Sequence, residues 1–420
     1  MTASVAPMSE TALTLTSLAF FMTYLAMAIG QVPGTRLDRN GAALLGAIAC
    51  IISGGIAPEA AWEAVDFATI ALLYGLMMVA SQLGESGLYA LVGRKTASLK
   101  AAPALVLLLV VMVSGVFSAV LSNIVVVVAL VPLVLGVTLS RGLNPTPFLL
   151  GLVFGSNTLP AGVVTGTPQN LIASQALHVS YTGFMKAALA PSILAMLLSW
   201  AVLAFLYRGK WLVPAQTLKK SEIGDTPFDR VGAIKAGGTV LAIVAAFLFT
   251  NWPRDIIVLT AAAFMLLSRK TSSETLMKGV DGTLILLVGA LFVVNAAFAN
   301  TGLPGKWFAD LAADGINIHK PDLLYWVMAV LSNVVGNIPA VMLALPHLDQ
   351  AHPMATAAAL SLGSSFSSNA LISGSLGGIF VIQIAAERGH AISLSEFTRA
   401  GLPATLLSLL VGAAWIWWVH

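Results

Sequence analysis

Apolar runs broken by short polar turns set the pattern of this chain. They fall at about 12–30, 41–57, 67–83, 104–140, 147–178, 188–207, 237–250, 254–268, 282–299, 322–346, 353–389 and 401–419. A helix of about 20 apolar residues crosses the hydrocarbon core of a bilayer. The pattern predicts an all-α polytopic membrane protein with about ten transmembrane helices. Two polar interruptions sit inside the apolar runs of the first half, Ser122-Asn123 and the stretch from Asn157 to Asn170. Two more sit inside those of the second half, Ser332-Asn333 and the stretch from Gly363 to Gly378. Backbone cannot unwind against lipid, because its N–H and C=O groups would go unsatisfied. It can unwind where it lines a buried site, so paired breaks in two halves point to a transporter's binding site.

Basic residues orient the runs, since short cytoplasmic loops are rich in Lys and Arg. The richest loop is 208–236, with Arg208, Lys210, Lys219, Lys220, Arg230 and Lys235, and it is placed in the cytoplasm. It is also the natural linker between an N-terminal half, 1–207, and a C-terminal half, 237–420. The run 104–140 is too long for one span. As a hairpin with Ser122-Asn123 at its turn, it leaves Arg36, Arg39, Arg94, Lys95 and Lys100 inside; as a straight span it puts Arg36, Arg39, Arg94 and Lys95 outside. The second hairpin, 322–346, then enters from the opposite face. Broken helices follow each hairpin, at 147–178 and 353–389.

Five landmarks recur in the same order, 208 to 215 residues apart. Asp66 in VDFATIALLYG pairs with Asp281 in VDGTLILLVG. Ser86-Gly87 pairs with Thr301-Gly302, LSN at 121–123 with LSN at 331–333, and Gly155-Ser156 with Gly363-Ser364. YTGFMKAALAP at 181–191 pairs with LSEFTRAGLP at 394–403. The matched elements face opposite ways in this topology, which makes an inverted repeat with re-entrant hairpins opposed across the membrane.

Composition agrees. Of 420 residues, 58% are hydrophobic and 9% charged, against roughly 25% charged in soluble domains. Net charge is +3, and no basic patch with interleaved aromatics marks a nucleic-acid partner. The single Cys50 excludes an intrachain disulfide and reads as a small hydrophobe. The opening residues lack a basic n-region and a small-residue cleavage site, so they are expected to form the first membrane helix.

Candidate chemistry concentrates at the breaks. Ser118 and Ser122 are four apart and share a helix face, with Asn123 next. Hydroxyls, an amide and unpaired carbonyls make a neutral oxygen cage for a monovalent cation such as Na⁺; the plainer reading is that they bond neighbouring helices. In Thr165-Gly166-Thr167-Pro168-Gln169-Asn170, glycine allows close approach and Pro168 suits the first turn of a new helix, whose positive end attracts anions. The alternative is a proline kink patched by hydroxyls. Ser373-Gly374-Ser375-Leu376-Gly377-Gly378 repeats the character without a proline, and Asn337-Ile338-Pro339 is a further helix breaker. No Asp or Glu lies deep in a span, which argues against a proton pathway. Asp66 and Asp281 sit at helix starts, Glu85 at a helix end, and the six histidines in loops or at ends, without metal-ligand spacing. No catalytic constellation is visible, so no enzyme is expected. AAWIWWVH at 413–420 reads as an interfacial aromatic belt.

FSAVLSN at 117–123, TGTPQN at 165–170, LSNVVGNIPAVML at 331–343 and SLSEFTRAGLPATLL at 393–407 resemble the ion transporter superfamily. That group spans divalent anion–sodium symporters, citrate carriers, arsenite permeases and some sodium/proton antiporters. The resemblance covers nearly the whole chain and is nearest to uncharacterised bacterial anion permeases. It implies a scaffold domain, a mobile transport domain moving as an elevator, and a homodimer. It implies cation ligands at Ser118, Ser122, Asn123, Gly166, Ser332 and Asn333, and substrate contacts from Asn123, Thr165, Thr167, Ser332 and Asn333. The reading of the breaks themselves adds Gly374 to the expected cation ligands and Asn170, Ser373 and Ser375 to the expected substrate contacts. Ile124 and Val334 stand where dicarboxylate carriers of the group have Thr, Met328 offers no oxygen where the first half has Ser118, and Ile124 also stands where arsenite permeases have Asp.

The function expected is secondary transport of a small anion or oxyanion, carboxylate included, across the inner membrane. Na⁺ is the expected coupling ion if the first tip is a cation site; an uncoupled elevator fits equally, and no other cofactor is implied. Arsenite efflux and sodium/proton exchange are the alternatives within transport. A non-transporting polytopic membrane protein is the alternative outside it.

Overall fold

A computed structural model describes residues 8–29, 35, 37–88, 91–92, 95, 101–120, 123–212, 228–250, 252–268, 270–314, 317–348 and 351–419. The described residues are helical throughout, with short 3₁₀ pieces and one isolated bridge, Leu143 to Leu212. Among the described residues, seven helices are long and apolar enough to cross a membrane: Glu10–Met27, Phe67–Glu85, Pro103–Val120, Tyr181–Leu206, Arg230–Phe249, Gly282–Ala299 and Leu394–Trp418. The other apolar runs form shorter or interrupted helices.

One packed group combines α1 (Glu10–Ile29), α2 (Arg39–Ile52), α3 (Pro58–Ala64) and α4 (Phe67–Glu85) with α10 (Arg230–Phe249), α11 (Arg254–Leu266), α12 (Ser273–Lys278) and α13 (Gly282–Ala299). A second group combines α5 (Pro103–Val120), α6 (Asn123–Ser140), α7 (Pro145–Thr158), α8 (Pro168–Ala176) and α9 (Tyr181–Leu206) with α15 (Pro321–Val335), α16 (Asn337–Ala344), α17 (Pro353–Ser367), α18 (Leu376–Glu387) and α19 (Leu394–Val419). Helix α14 (Leu303–Ala313) connects them. The first group crosses between the sequence halves, with α2 against α13 and α4 against α11.

Local chemistry sets the helix ends. Asp66 caps α4 by accepting from Ala68 N and Thr69 N, and Asp281 caps α13 by accepting from Leu284 N. Gly87 (φ 71°) and Gly302 (φ 69°) close these two helices in the left-handed region. Asn300 Nδ2 donates to Gly55 O at 3.2 Å. The end of α13 therefore meets the turn after α2, and these two helices run the same way. The chain then continues through α3 to Asp66, so α4 starts at the end where α13 finishes.

Two differences from the sequence reading matter for the site. The second hairpin does not turn at Ser332-Asn333: α15 stays helical through Val335 and the chain turns at Gly336, φ 95°. Only glycine adopts that backbone cheaply, so the turn falls where the glycine is. Helices α9, α10 and α19 begin well before the apolar runs at 188, 237 and 401. Their first turns carry charges such as Lys186, Arg230 and Glu396, which a hydrophobicity pattern leaves out. Where the first hairpin is expected, the helices α5 and α6 flank residues 121–122, and the expected turn lies outside the described residues.

Candidate functional site

Both broken helices unwind in the same way. After α7 the chain makes 3₁₀ turns over Leu159–Gly162 and Val164–Gly166, then restarts at Pro168. After α17 it makes one over Ile372–Gly374 and restarts at Leu376. The residues before the restarts, Thr167 (φ −144°, ψ 151°) and Ser375 (φ −142°, ψ 144°), have nearly the same extended backbone. Gly166 and Gly374 each pack against a carbonyl of their own break. A Cβ there would lie 2.3 Å from Pro160 O and 2.7 Å from Ser368 O. Asn170 braces the first break, its Nδ2 donating to Pro160 O (3.1 Å), Ala161 O (3.4 Å) and Val163 O (2.9 Å). The amide's two N–H groups are shared among three carbonyls that also accept from Val163 N, Gly166 N and Ser361 Oγ, so Asn170 reinforces the 3₁₀ turns of the break.

A cavity of about 510 Å³ lies where the breaks meet the second hairpin. Asn157, Thr167 and Gln169 face it from the first broken helix, Ser365, Ser368, Gly374 and Ser375 from the second, and Gly336 and Asn337 from the hairpin turn. Asn157 ties the halves together, Nδ2 donating to Asn369 Oδ1 at 2.9 Å and Ser375 Oγ at 3.0 Å. Asn337 Nδ2 donates to Ser368 Oγ at 2.9 Å, fixing the turn to the second break. These polar residues of the deep wall are all neutral, and apolar Leu284, Leu287, Ile338 and Ile379 share the lining with them. Charge appears at the mouth, where Asp38, Arg39 and Asp281 line the opening beside α2 and α13.

Three helices start at this wall without a carboxylate cap. Neither α8 nor α16 has a side-chain cap, and α18 is capped only by the Ser375 hydroxyl, which accepts from Gly378 N. Each start carries the partial positive charge of a helix N-terminus; Pro168 and Pro339 bring no N–H, and Asn170 N and Gly378 N are already bonded to Thr167 O and Ser375 Oγ. Thr167 Oγ1 is buried there without a hydrogen-bond partner. The wall suits an anion that brings its own acceptors. No group of three or more His, Cys, Asp or Glu that would hold a metal occurs among the described residues.

The expected site residues divide. Thr167, Gly374 and Ser375 line the cavity. Ser332 and Asn333 lie beneath it on the last turns of α15: Ser332 Oγ is 2.9 Å from Ser367 Oγ, and Asn333 Nδ2 donates to Ala329 O (2.9 Å) and Ser367 O (3.3 Å). Asn333 Oδ1 has no partner, and a Cβ on Gly374 would lie 2.9 Å from it. Thr165 points away, donating to Ala119 O at 3.2 Å, and Asn170 braces the break. Ser118 Oγ, also without a partner, is buried in α5. Ser122, and the side chains of Asn123 and Ser373, lie outside the described residues. Asn157, Gln169, Ser365, Ser368 and Arg39 were not expected at the site. Asn157 stood at the edge of the polar stretch, and its role follows from Asn369, more than 200 residues away.

Comparisons with known proteins agree with this architecture. The chain is 27% identical over 416 residues to a 46 kDa membrane protein of Mycobacterium leprae, covering 95% of this chain and 96% of that protein. It is 26% identical over 425 residues to an uncharacterised transporter of Mycobacterium tuberculosis, with 95% and 96% covered. It is 26% identical over 433 residues to the magnetosome protein MamN of Magnetospirillum gryphiswaldense, with 95% and 98% covered. The fold matches the crystal structure of the YdaH transporter of Alcanivorax borkumensis, with a TM-score of 0.55, 15% identity, and 97% and 98% of the two chains covered. The family model described as citrate transporter matches residues 22–367, and with these relatives, its apolar helices and its broken-helix cavity, the chain is a multi-pass membrane transporter that belongs to the citrate transporter family.

Proposed function

We propose that the protein is a secondary transporter of a small carboxylate or oxyanion across the inner membrane, and that the cavity between the broken helices is its binding site. One observation carries this: three helix starts without carboxylate caps converge on a neutral wall that holds the unpartnered Thr167 hydroxyl. An anion bound there would meet N–H groups, hydroxyls and amides together. The inverted repeat is supported by the matched breaks, and by α4 and α13, which pair in sequence yet start at opposite ends. The halves of the sequence then interleave into a scaffold of α1–α4 and α10–α13 and a moving group of α5–α9 and α15–α19. The hairpins α5–α6 and α15–α16 belong to the moving group, as re-entrant elements of an elevator. Na⁺ coupling draws support from two buried oxygens without partners, Ser118 Oγ and Asn333 Oδ1, each beside a hairpin end. No Asp or Glu is buried among the described residues, which leaves proton exchange without a relay. A homodimer is part of the same reading.

The test is melting temperature in detergent across citrate, succinate, phosphate, sulfate and arsenite, each with Na⁺ and with K⁺. A ligand of the folded state raises stability by about 2.7 kcal/mol at 100 times its Kd. Stabilisation by citrate or another of these anions supports the reading, and a requirement for Na⁺ supports symport. If none of them acts while Na⁺ or pH alone does, the anion reading is overturned.

A further inference from the structure

We infer that Arg254 is the anion-binding residue of a second vestibule, at the far end of the transport path from the inner cavity, and that Arg39 is its counterpart at the inner mouth. The inference rests on the transport reading above and adds a site to it. Arg39 opens α2 and Arg254 opens α11. They lie 215 residues apart, the spacing that also relates Asp66 to Asp281 and Gly87 to Gly302. Each pairs with one of those aspartates: Arg39 and Asp281 line the inner cavity, while Arg254 and Asp66 line a separate cavity of about 640 Å³. The two cavities lie at opposite ends of α13. Asp281 starts that helix, whereas Asp66 shares a third cavity with Ala296 and Ala299 near its close.

The chemistry of the second cavity favours an anion. Arg254 is half-buried, and its partners are neutral: it donates to Ser174 Oγ at 3.3 Å and Val179 O at 2.5 Å. Among the described residues Arg254 makes no ion pair, and the Asp66 carboxylate in the same cavity is held by Ala68 N (3.0 Å), Thr69 N (3.2 Å) and Thr69 Oγ1 (2.6 Å). A half-buried guanidinium whose hydrogen-bond partners are neutral keeps donors for an anion, and its fork of donors matches a carboxylate or phosphate. The remaining wall joins polar Gln175, His178, Ser180 and Thr182 to apolar Phe247, Leu248 and Trp252. His178 is the one non-glycine residue with positive φ, 50°, among those described.

The vestibule backs onto the transport site. Tyr181 lines it, and its hydroxyl lies 3.5 Å from Thr165 Oγ1 in the first break. Helix α8, nine residues and so about 13 Å long, starts at the inner cavity and ends beside Arg254. In alternating access an anion leaving the breaks would meet Arg39 on one face and Arg254 on the other. Solute carboxylates and lipid headgroup phosphates share this chemistry, so the test separates them.

The experiment is phenylglyoxal labelling of the full-length protein in lipid-free dodecyl maltoside, read at each arginine by peptide mass spectrometry, with citrate or chloride present. Saturating citrate is expected to slow modification of Arg254 roughly tenfold, and chloride not to. The same slowing is expected in a Thr167→Val, Ser375→Ala double variant, whose inner cavity is impaired. Protection that vanishes in this variant overturns the inference, since closure around the inner site would then be what shields Arg254. No protection, while citrate still raises the melting temperature, overturns it and leaves the inner-cavity reading standing. Citrate that does neither counts against both. Protection by added phosphatidylglycerol and not by citrate assigns Arg254 to a headgroup and overturns the solute vestibule.

Discussion

Thr167 is the sharpest probe at the scale of single residues. Its hydroxyl is buried in the cavity wall without a partner, so the empty protein gains nothing from it. Thr167→Val keeps the shape and removes the hydroxyl. The melting temperature of the unliganded protein is expected to hold or rise, because a buried unsatisfied group costs about 1–3 kcal/mol. Citrate affinity is expected to fall roughly tenfold, the worth of one hydrogen bond to a charged ligand. Calorimetric titration with citrate reads the second effect, and a stability loss without an affinity loss would place Thr167 in the core alone. Asn157 differs, because its amide already joins the halves through Asn369 and Ser375, and its removal would disturb both fold and site.

Glycine governs the elements that unwind. Gly166→Ala drives a methyl toward the Pro160 carbonyl, and Gly374→Ala drives one toward Ser368 O and Asn333 Oδ1. The obstructing atoms are mostly backbone and cannot swing aside. Each substitution is expected to cost about 1–3 kcal/mol and to abolish anion-induced stabilisation, as read by melting curves with and without citrate. A milder effect at Gly374 is expected, since its nearest contact is longer. The loop after α18 carries a different sensitivity. His390 shares a 2.9 Å hydrogen bond with Thr146 at the start of α7. Burial holds its pKa below the ordinary 6.5, against a smaller upward pull from Glu396. The folded state therefore resists a proton that the unfolded chain accepts. Stability from this group is present above about pH 6.5 and declines as pH falls toward the folded value. His390→Gln keeps a side-chain donor and acceptor, and is expected to flatten the loss of melting temperature between about pH 7 and pH 5.

Across the whole molecule, the seam between the two helix groups is where motion would act. Tyr24 on α1 donates to Asn295 Oδ1 on α13 at 2.8 Å and lies 3.4 Å from Pro339 O on α16, so the seam already carries polar contacts. Leu287 on α13 and Ile338 on α16 line the inner cavity from the two groups. In a Cys50→Ser background, Leu287→Cys with Ile338→Cys permits cross-linking by a short bis-maleimide. The cross-link is expected to stop citrate counterflow in proteoliposomes while each single cysteine leaves it running. Transport that persists through the cross-linked seam would exclude movement between these groups.

What the sequence determined by itself was periodicity and composition. Apolar runs of bilayer length dictate helices in lipid, and dense clusters of Gly, Ser and Thr within such runs favour a break where a lone Pro191 or Pro403 does not; Thr165 to Asn170 and Ser373 to Gly378 were legible for that reason. The matched positions of Asp66 and Asp281 were legible because capping is a local interaction between residues two or three apart. The turn at Gly336 was missed because a helix runs on until backbone geometry stops it, and Ser332-Asn333 does not stop it. Only tertiary structure decided which polar residues face the cavity. Thr165 and Thr167 are two apart in one motif, yet one bonds Ala119 O while the other opens on the cavity. Asn157, Ser365, Ser368 and Arg39 become neighbours only when segments more than 100 residues apart pack together. Long-range packing selects one face of each element, and a linear pattern of neutral polar residues does not encode that choice.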